Sequence, residues 1–320
     1  MMQQRQETAP LPGLLATLAA GFDLVTRHYW LTLIPAALDS FLWLGPRLGF
    51  RSLVEQAVSF WQQQAAQLGM DQELLMTLAP RTNLFSALSV PFVGVPVFMV
   101  GLVPEKTPLP AQTVELTSAA AVILLYIGLS LLGLWLSALY YESVAHVVRH
   151  DKNGARMTAV LEQALLRSPL TWLSFLGLAL TVIMLGLIVY FPLLIASILI
   201  GLVSTGLAAM ILLLGPVMTV WIVIYLSFAP QGLVLNKRPL WRAVVESVRL
   251  IQRYMWSALL LLVGVLLINR GLDWLLLLAD DGSWLTLGGI LGHAFISTSL
   301  LAAIFIFYRD RYAAAFSEVS

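Results

Sequence analysis

The chain has 320 residues, 59% of them hydrophobic and only 11% charged, against roughly 25% charged in an average soluble domain. Its net charge of +1 gives no sign of a nucleic-acid partner, and with no cysteine it can hold neither a disulfide nor a thiolate metal site nor a cysteine nucleophile. A mean hydropathy of +0.87 and repeated runs of the ~20 apolar residues that cross a bilayer predict an all-α, polytopic membrane helix bundle.

In chain order, Met1 to Pro10 is polar and uncharged apart from Arg5 and Glu7. It lacks the basic-then-apolar order of a cleavable signal, so the first span is expected to remain in place. Residues 10–48 read as an amphipathic elbow helix and a first span whose one charge is Asp39. Residues 49–117 read as an extracytoplasmic insert capping the bundle. Within it, 52–68 is predicted helical, with Leu53, Val54, Ala57, Val58 and Trp61 opposed by Gln56, Gln62, Gln63 and Gln64. Residues 84–103 are uncharged and long enough to span, but Pro91, Gly94, Pro96 and Gly101 weaken a regular helix; a re-entrant or surface-packed segment is expected. A second span follows at 118–148. Residues 156–228 read as an elbow helix with spans three and four, and 239–308 as an elbow helix with spans five and six.

Charge fixes the sides. Residues 168–236 carry no charge over 69 positions. Basic clusters flank them: Arg149, Lys152, Arg156 and Arg167 before, Lys237, Arg238, Arg242, Arg249 and Arg253 after. Short basic loops stay in the cytoplasm, so this run crosses an even number of times, as two spans joined near Gly201–Gly206. The resulting six-span arrangement has both termini cytoplasmic and puts 13 of the 18 Lys and Arg inside.

Aligning Trp30, Trp172 and Trp256 reveals a repeated unit of amphipathic helix, short elbow and inward-starting span. The third copy is the clearest, with Leu240, Val244, Val248 and Ile251 opposed by Arg242, Glu246, Arg249 and Arg253. Each amphipathic helix is expected in the inner headgroup region, its arginines meeting anionic lipid. The stretch Phe228-Ala229-Pro230-Gln231-Gly232-Leu233-Val234-Leu235-Asn236-Lys237, followed by Arg242-Ala243 and Trp256, resembles a family of six-span prokaryotic membrane proteins. That family includes the YciC-like proteins and the membrane domain beside some glycerophosphodiester phosphodiesterases. The likeness covers roughly residues 118–315. It implies a six-span bundle in the plasma membrane and carries over no catalytic residues, because the phosphodiesterase chemistry belongs to a separate soluble barrel.

Few residues could carry chemistry. Asp39 lies mid-span, where an ionisable group is costly and usually partnered. At a helical rise of roughly 1.5 Å per residue, the depths of Asp39, Asn269, Arg270, His293 and Ser297 allow one intramembrane polar cluster. It would be either a proton or ion site or a structural link between helices. Glu142, His146 and His150 share one helix face and would offer a metal two imidazoles and a carboxylate, but their place at a wet helix end favours an ordinary terminus, and no metal or cofactor is expected. Gly288 and Gly292 form a GxxxG suited to close helix contact, and Pro192 and Gly215-Pro216 are positions for breaks or kinks. No P-loop, G-x-S-x-G, H-E-x-x-H or dinucleotide fingerprint is present. The expectation is therefore a non-enzymatic integral membrane protein acting on the bilayer, its lipids or membrane partners. Arg242, Arg249 and Arg253 are its candidate lipid-facing residues. A solute or lipid transporter and an accessory subunit of a membrane complex are the alternatives.

Overall fold

A long apolar run has its own backbone as its main polar liability, and a helix satisfies that backbone within the segment. The computed structural model of the chain describes residues 11–56, 83–100, 107–150, 156–276 and 282–316. Helix α1, Leu14–Arg27, leads through a 3-10 turn, Tyr29–Thr32, into α2, Leu33–Leu44. After the insert come α3, Ala119–His150, α4, Met157–Gly201, and α5, Thr205–Leu226. A short α6, Ala229–Leu235, precedes α7, Leu240–Arg253, α8, Met255–Leu276, and α9, Leu285–Phe316.

Five segments are long and apolar enough to cross a bilayer: Ala119–His150, Met157–Gly201, Thr205–Leu235, Met255–Leu272 and Leu285–Phe316. The protein is thus built as a multi-pass membrane protein. The expected first span differs from these five, because Tyr29–Leu44 is a shorter apolar helix. Helix α9 is the axis of the bundle: 72% of its most apolar window is buried, against 6–11% in the other four. Those four turn leucine, isoleucine and phenylalanine outward, as at Ile183, Leu187 and Phe191 of α4, the surface expected where the solvent is hydrocarbon.

The first and third repeat units share one geometry. Helix α1 ends at His28 (φ −124°, ψ 48°) and α7 ends at Tyr254 (φ −123°, ψ 35°), each two residues before its aligned Trp. Their buried faces match step for step, with Thr17, Gly21, Leu24 and Val25 in one and Ala243, Ser247, Leu250 and Ile251 in the other. The second unit departs from the expected elbow, because α4 runs unbroken through Pro169 for 45 residues, about 68 Å of helix. Proline leaves the carbonyl four residues earlier without its usual donor. Here Ser168 Oγ donates to that carbonyl, Leu165 O, at 3.0 Å, so the helix continues. Pro192 and Pro216 likewise lie inside continuous helices rather than breaking them. Helices α4 and α5 meet at residues 202–204, where the Ser204 hydroxyl accepts from Leu207 N–H.

Helix α1 has one face, Thr17, Gly21, Leu24 and Val25, covered by the bundle. It runs antiparallel along α9, with Pro12 near Arg311, Gly21 against Ser299 and Ala303, and Phe22 against Phe295. The close approach depends on Gly21, where a Cβ would stand 2.4 Å from the Ser299 carbonyl. The GxxxG of α9 is not used this way: among the described residues, nothing lies within 4 Å of a Cβ built at Gly288 or Gly292.

The insert is stitched at its base by a parallel pair of strands, β1, Arg47–Gly49, and β2, Thr113–Glu115. Residues 51–56 are helical; the rest of the helix predicted over 52–68 lies outside the described residues. Residues 83–100 form no spanning helix. A 3-10 helix, Leu84–Leu88, is capped by Asn83, whose Oδ1 accepts from Phe85 N and Leu48 N. Turns come next, with Phe92 at φ 74° between Pro91 and Val93, whose carbonyl and N–H bond across it. Leu84, Leu88, Val93, Val95 and Met99 are buried. The Leu88 carbonyl sits against Gly133 of α3, where a Cβ would stand 2.3 Å away.

Gly21→Val is expected to force α1 off α9 and lower stability by about 1–3 kcal/mol, read as a fall in the thermal midpoint in one fixed detergent. Gly288→Ala, with space around it, is expected to leave that midpoint unchanged or slightly raised.

Candidate functional site

Asp39 stands in the middle of α2 and is fully buried. Its carboxylate accepts two backbone bonds from the insert, Phe98 N–H to Oδ2 at 3.0 Å and Met99 N–H to Oδ1 at 2.8 Å. These charge-assisted bonds hold a non-helical segment whose N–H groups have no helical partners. His293 of α9 approaches from the other side, with Nδ1 3.6 Å from Asp39 Oδ2, and its ring packs at 5.8 Å from that of Phe98. On the same helix, Ser297 Oγ donates to Asn269 Oδ1 of α8 at 3.0 Å and lies 3.2 Å from His293 Nε2. Asp39, Asn269, His293 and Ser297 therefore form one connected polar chain linking the insert, α2, α9 and α8. Arg270 has its side chain exposed, and the link to α8 runs through its neighbour Asn269. The Phe98 and Met99 amides had no signature in the sequence, since a backbone donor looks the same at every residue; the prolines and glycines of the segment were the available hint.

At the other end of α9, basic side chains from α9, α7 and the turn between α6 and α7 tie neighbouring segments together. Arg309 Nη1 donates to Val148 O at the end of α3, and Arg311 Nη2 to Pro12 O ahead of α1. Arg253 of α7 donates from Nη1 to Ala315 O, and Arg238 from Nη2 to the Tyr312 hydroxyl at 2.7 Å. That hydroxyl, together with Glu246 at 3.3 Å, raises the Arg238 pKa above its ordinary value. Asn236 Nδ2 donates to the Tyr308 hydroxyl, and Phe228 stacks on Phe307 at 5.4 Å. The stretch 228–237 is thus a packing joint: every residue of α6 is buried. Far from this end, Trp43 meets Trp284 edge to face at 5.8 Å.

Arg242, Arg249 and Arg253 all lie on the exposed side of α7, opposite Ala243, Ser247, Leu250 and Ile251. Arg242 also sits 5.1 Å over the Trp241 ring. The Glu142, His146 and His150 stripe does not converge. His146 and His150 stack at 4.5 Å, while Glu142 turns to α4, accepts from the Thr171 hydroxyl and pairs with Arg149 at 3.7 Å. Among the described residues, no group of three His, Asp or Glu could hold a metal ion. Thr171 was missed from the sequence because it stands on a different helix, 29 positions away.

No protein-family model, curated protein or solved structure matches the chain. Its chemistry is accordingly read from these two clusters.

Asp39→Asn puts one oxygen where two N–H groups now find two. It is expected to cost about 1–3 kcal/mol through the buried donor left unmade, and to speed amide hydrogen exchange at Phe98 and Met99 while α4 and α5 keep their protection. Unchanged exchange there would show that the carboxylate does not hold the segment.

Proposed function

We propose that the chain is a six-span, non-enzymatic integral membrane protein of the plasma membrane. Its basic end and both termini face the cytoplasm, and it acts on anionic lipid of the inner leaflet. The observation that carries this reading is the convergence on the last turns of α9, where Arg309 and Arg311 of α9 reach the end of α3 and the segment before α1, and Arg238 and Arg253 come in from the turn after α6 and the end of α7. One helix end collecting the basic connections is what alternating spans and cytoplasmic retention of short basic loops require. In this arrangement the short Tyr29–Leu44 segment, continued by α1 along α9, supplies the first crossing.

Helix α7 supplies the lipid-facing surface. An amphipathic helix with arginines on its polar face is suited to the headgroup region, where each basic residue near an anionic surface is worth about 1 kcal/mol. The pattern resembling the YciC-like group falls on α6 and the turn after it, the joint that sets α7 against α9. Both Asp39 oxygens are engaged by backbone donors, which favours a structural carboxylate over an ion-transport site.

Neutralising three cations in R242Q/R249Q/R253Q is expected to cut the enrichment of phosphatidylglycerol around the purified protein by on the order of tenfold, as counted by lipid mass spectrometry. Because Arg253 also donates to Ala315 O, R242Q/R249Q is measured beside the triple variant; it leaves that tie in place and should lower the enrichment in the same direction. Equal enrichment in variant and wild type would remove anionic lipid as the ligand of this face.

A further inference from the structure

Beside the joint lies a cleft of about 360 Å³, lined by Glu142, Arg167, Thr171, Ser174, Lys237 and Arg238, with Leu170 and Leu233 as its apolar walls. Four elements build it: α3, α4, α6 and the turn between α6 and α7. Two carboxylates stand in this neighbourhood, and each already has a cation: Glu142 pairs with Arg149 and Glu246 with Arg238. Glu142 also receives the Thr171 hydroxyl. Arg167 and Lys237 remain, and among the described residues neither has a carboxylate partner. Arg149 and Arg167 are close enough to repel one another. The cleft therefore carries an excess of two positive charges, which calls for an anion.

The end of α6 sets where Lys237 stands. Lys237 sits at φ 51°, the left-handed residue that closes a helix C-terminus, with the Arg238 N–H bonded back to Gly232 O and Pro239 capping α7 next in the chain. This turn brings its ammonium to the cleft. The apolar side indicates what the anion is attached to. Leu170 is 75% exposed and continues along α4 into Leu166 and Leu173, at 75% and 60%. A hydrocarbon chain descending from the cleft would lie along that row.

We propose that this cleft binds the phosphate of an anionic phospholipid headgroup, with Arg167 and Lys237 as its charge partners and the α4 leucines under the acyl chains. Basic pockets between membrane helices on the inner side are a recurrent way of holding such headgroups, and a guanidinium is well matched to two phosphate oxygens at once. The inference deepens the proposed function, since it rests on this end of the bundle meeting the inner leaflet. It names a discrete site distinct from the exposed face of α7.

Native mass spectrometry of the full chain, delipidated in detergent and titrated with phosphatidylglycerol against phosphatidylcholine, tests it. The wild type is expected to keep one phosphatidylglycerol, and R167Q/K237Q to bind it at least about tenfold more weakly, the loss of two charge-assisted contacts. R242Q/R249Q/R253Q should keep that one lipid while losing the general enrichment. Should the double variant fail to fold, K237Q alone carries the comparison, because its side chain is exposed and supports no packing. A double variant that binds like the wild type overturns the cleft and leaves the α7 face standing. No anionic preference in the wild type overturns both. Displacement of the lipid by millimolar inorganic phosphate would assign the cleft to a soluble phosphate and overturn the lipid as its occupant.

Discussion

The non-helical part of this bundle depends on one buried carboxylate. Hydrocarbon offers nothing to an unpaired amide, so a segment that leaves the helical path inside a membrane protein has to find its hydrogen bonds in the protein. Residues 89–100 find two of them at Asp39, which is fully buried and accepts from consecutive backbone N–H groups. The same side chain faces His293, and through His293 and Ser297 it reaches Asn269. One acidic residue in α2 thus ties the insert to the two last helices. Burying a charge is costly unless it is fully engaged, and here the engagement is the architecture itself.

Around that tie the molecule is organised on α9. The first and third repeat units approach it with the same helix, the same break and the same buried face. They differ in how that helix is seated: α1 lies along α9, while α7 is set by the α6 joint. The second unit has lost the break, and Ser168 shows how, by covering the carbonyl that Pro169 leaves open. Repetition in the sequence therefore became two hinged copies and one straight rod. The rod, α4, carries both the lipid-exposed leucine row and Arg167, which is why apolar and cationic groups meet beside the same cleft.

Much of this was legible in the residues, and the rest was hidden for identifiable reasons. The long helices follow from uncharged runs, and the α4–α5 junction from the glycines at 201 and 206. The polar cluster came from depth alone, because rise per residue places Asp39, His293 and Ser297 at levels that can meet. Depth carries no azimuth, so it could not tell that the bond from Ser297 to α8 goes to Asn269. The GxxxG of α9 was visible as a pattern, but whether a helix comes to it depends on tertiary packing; the close approach went to Gly21, where α1 had a face to bury. Glu142 was read with the histidines of its own helix because spacing along one helix is what a sequence displays. Its partners stand on α4 and at the end of α3. The length of the first crossing was also hidden, since α1 and α2 divide at His28, where the chain leaves helical geometry.

The functional reading turns on which side of the membrane holds the basic end of α9. The chain has no cysteine, so single cysteines can be placed without background and probed with a membrane-impermeant maleimide on intact cells and on opened ones. Lys237→Cys and Arg309→Cys should stay unlabelled in intact cells and react once the cells are opened, while Gly282→Cys, beyond the opposite end of α9, should react in both. Labelling at position 237 or 309 from outside intact cells would contradict a cytoplasmic basic end, and with it the inner-leaflet lipid role.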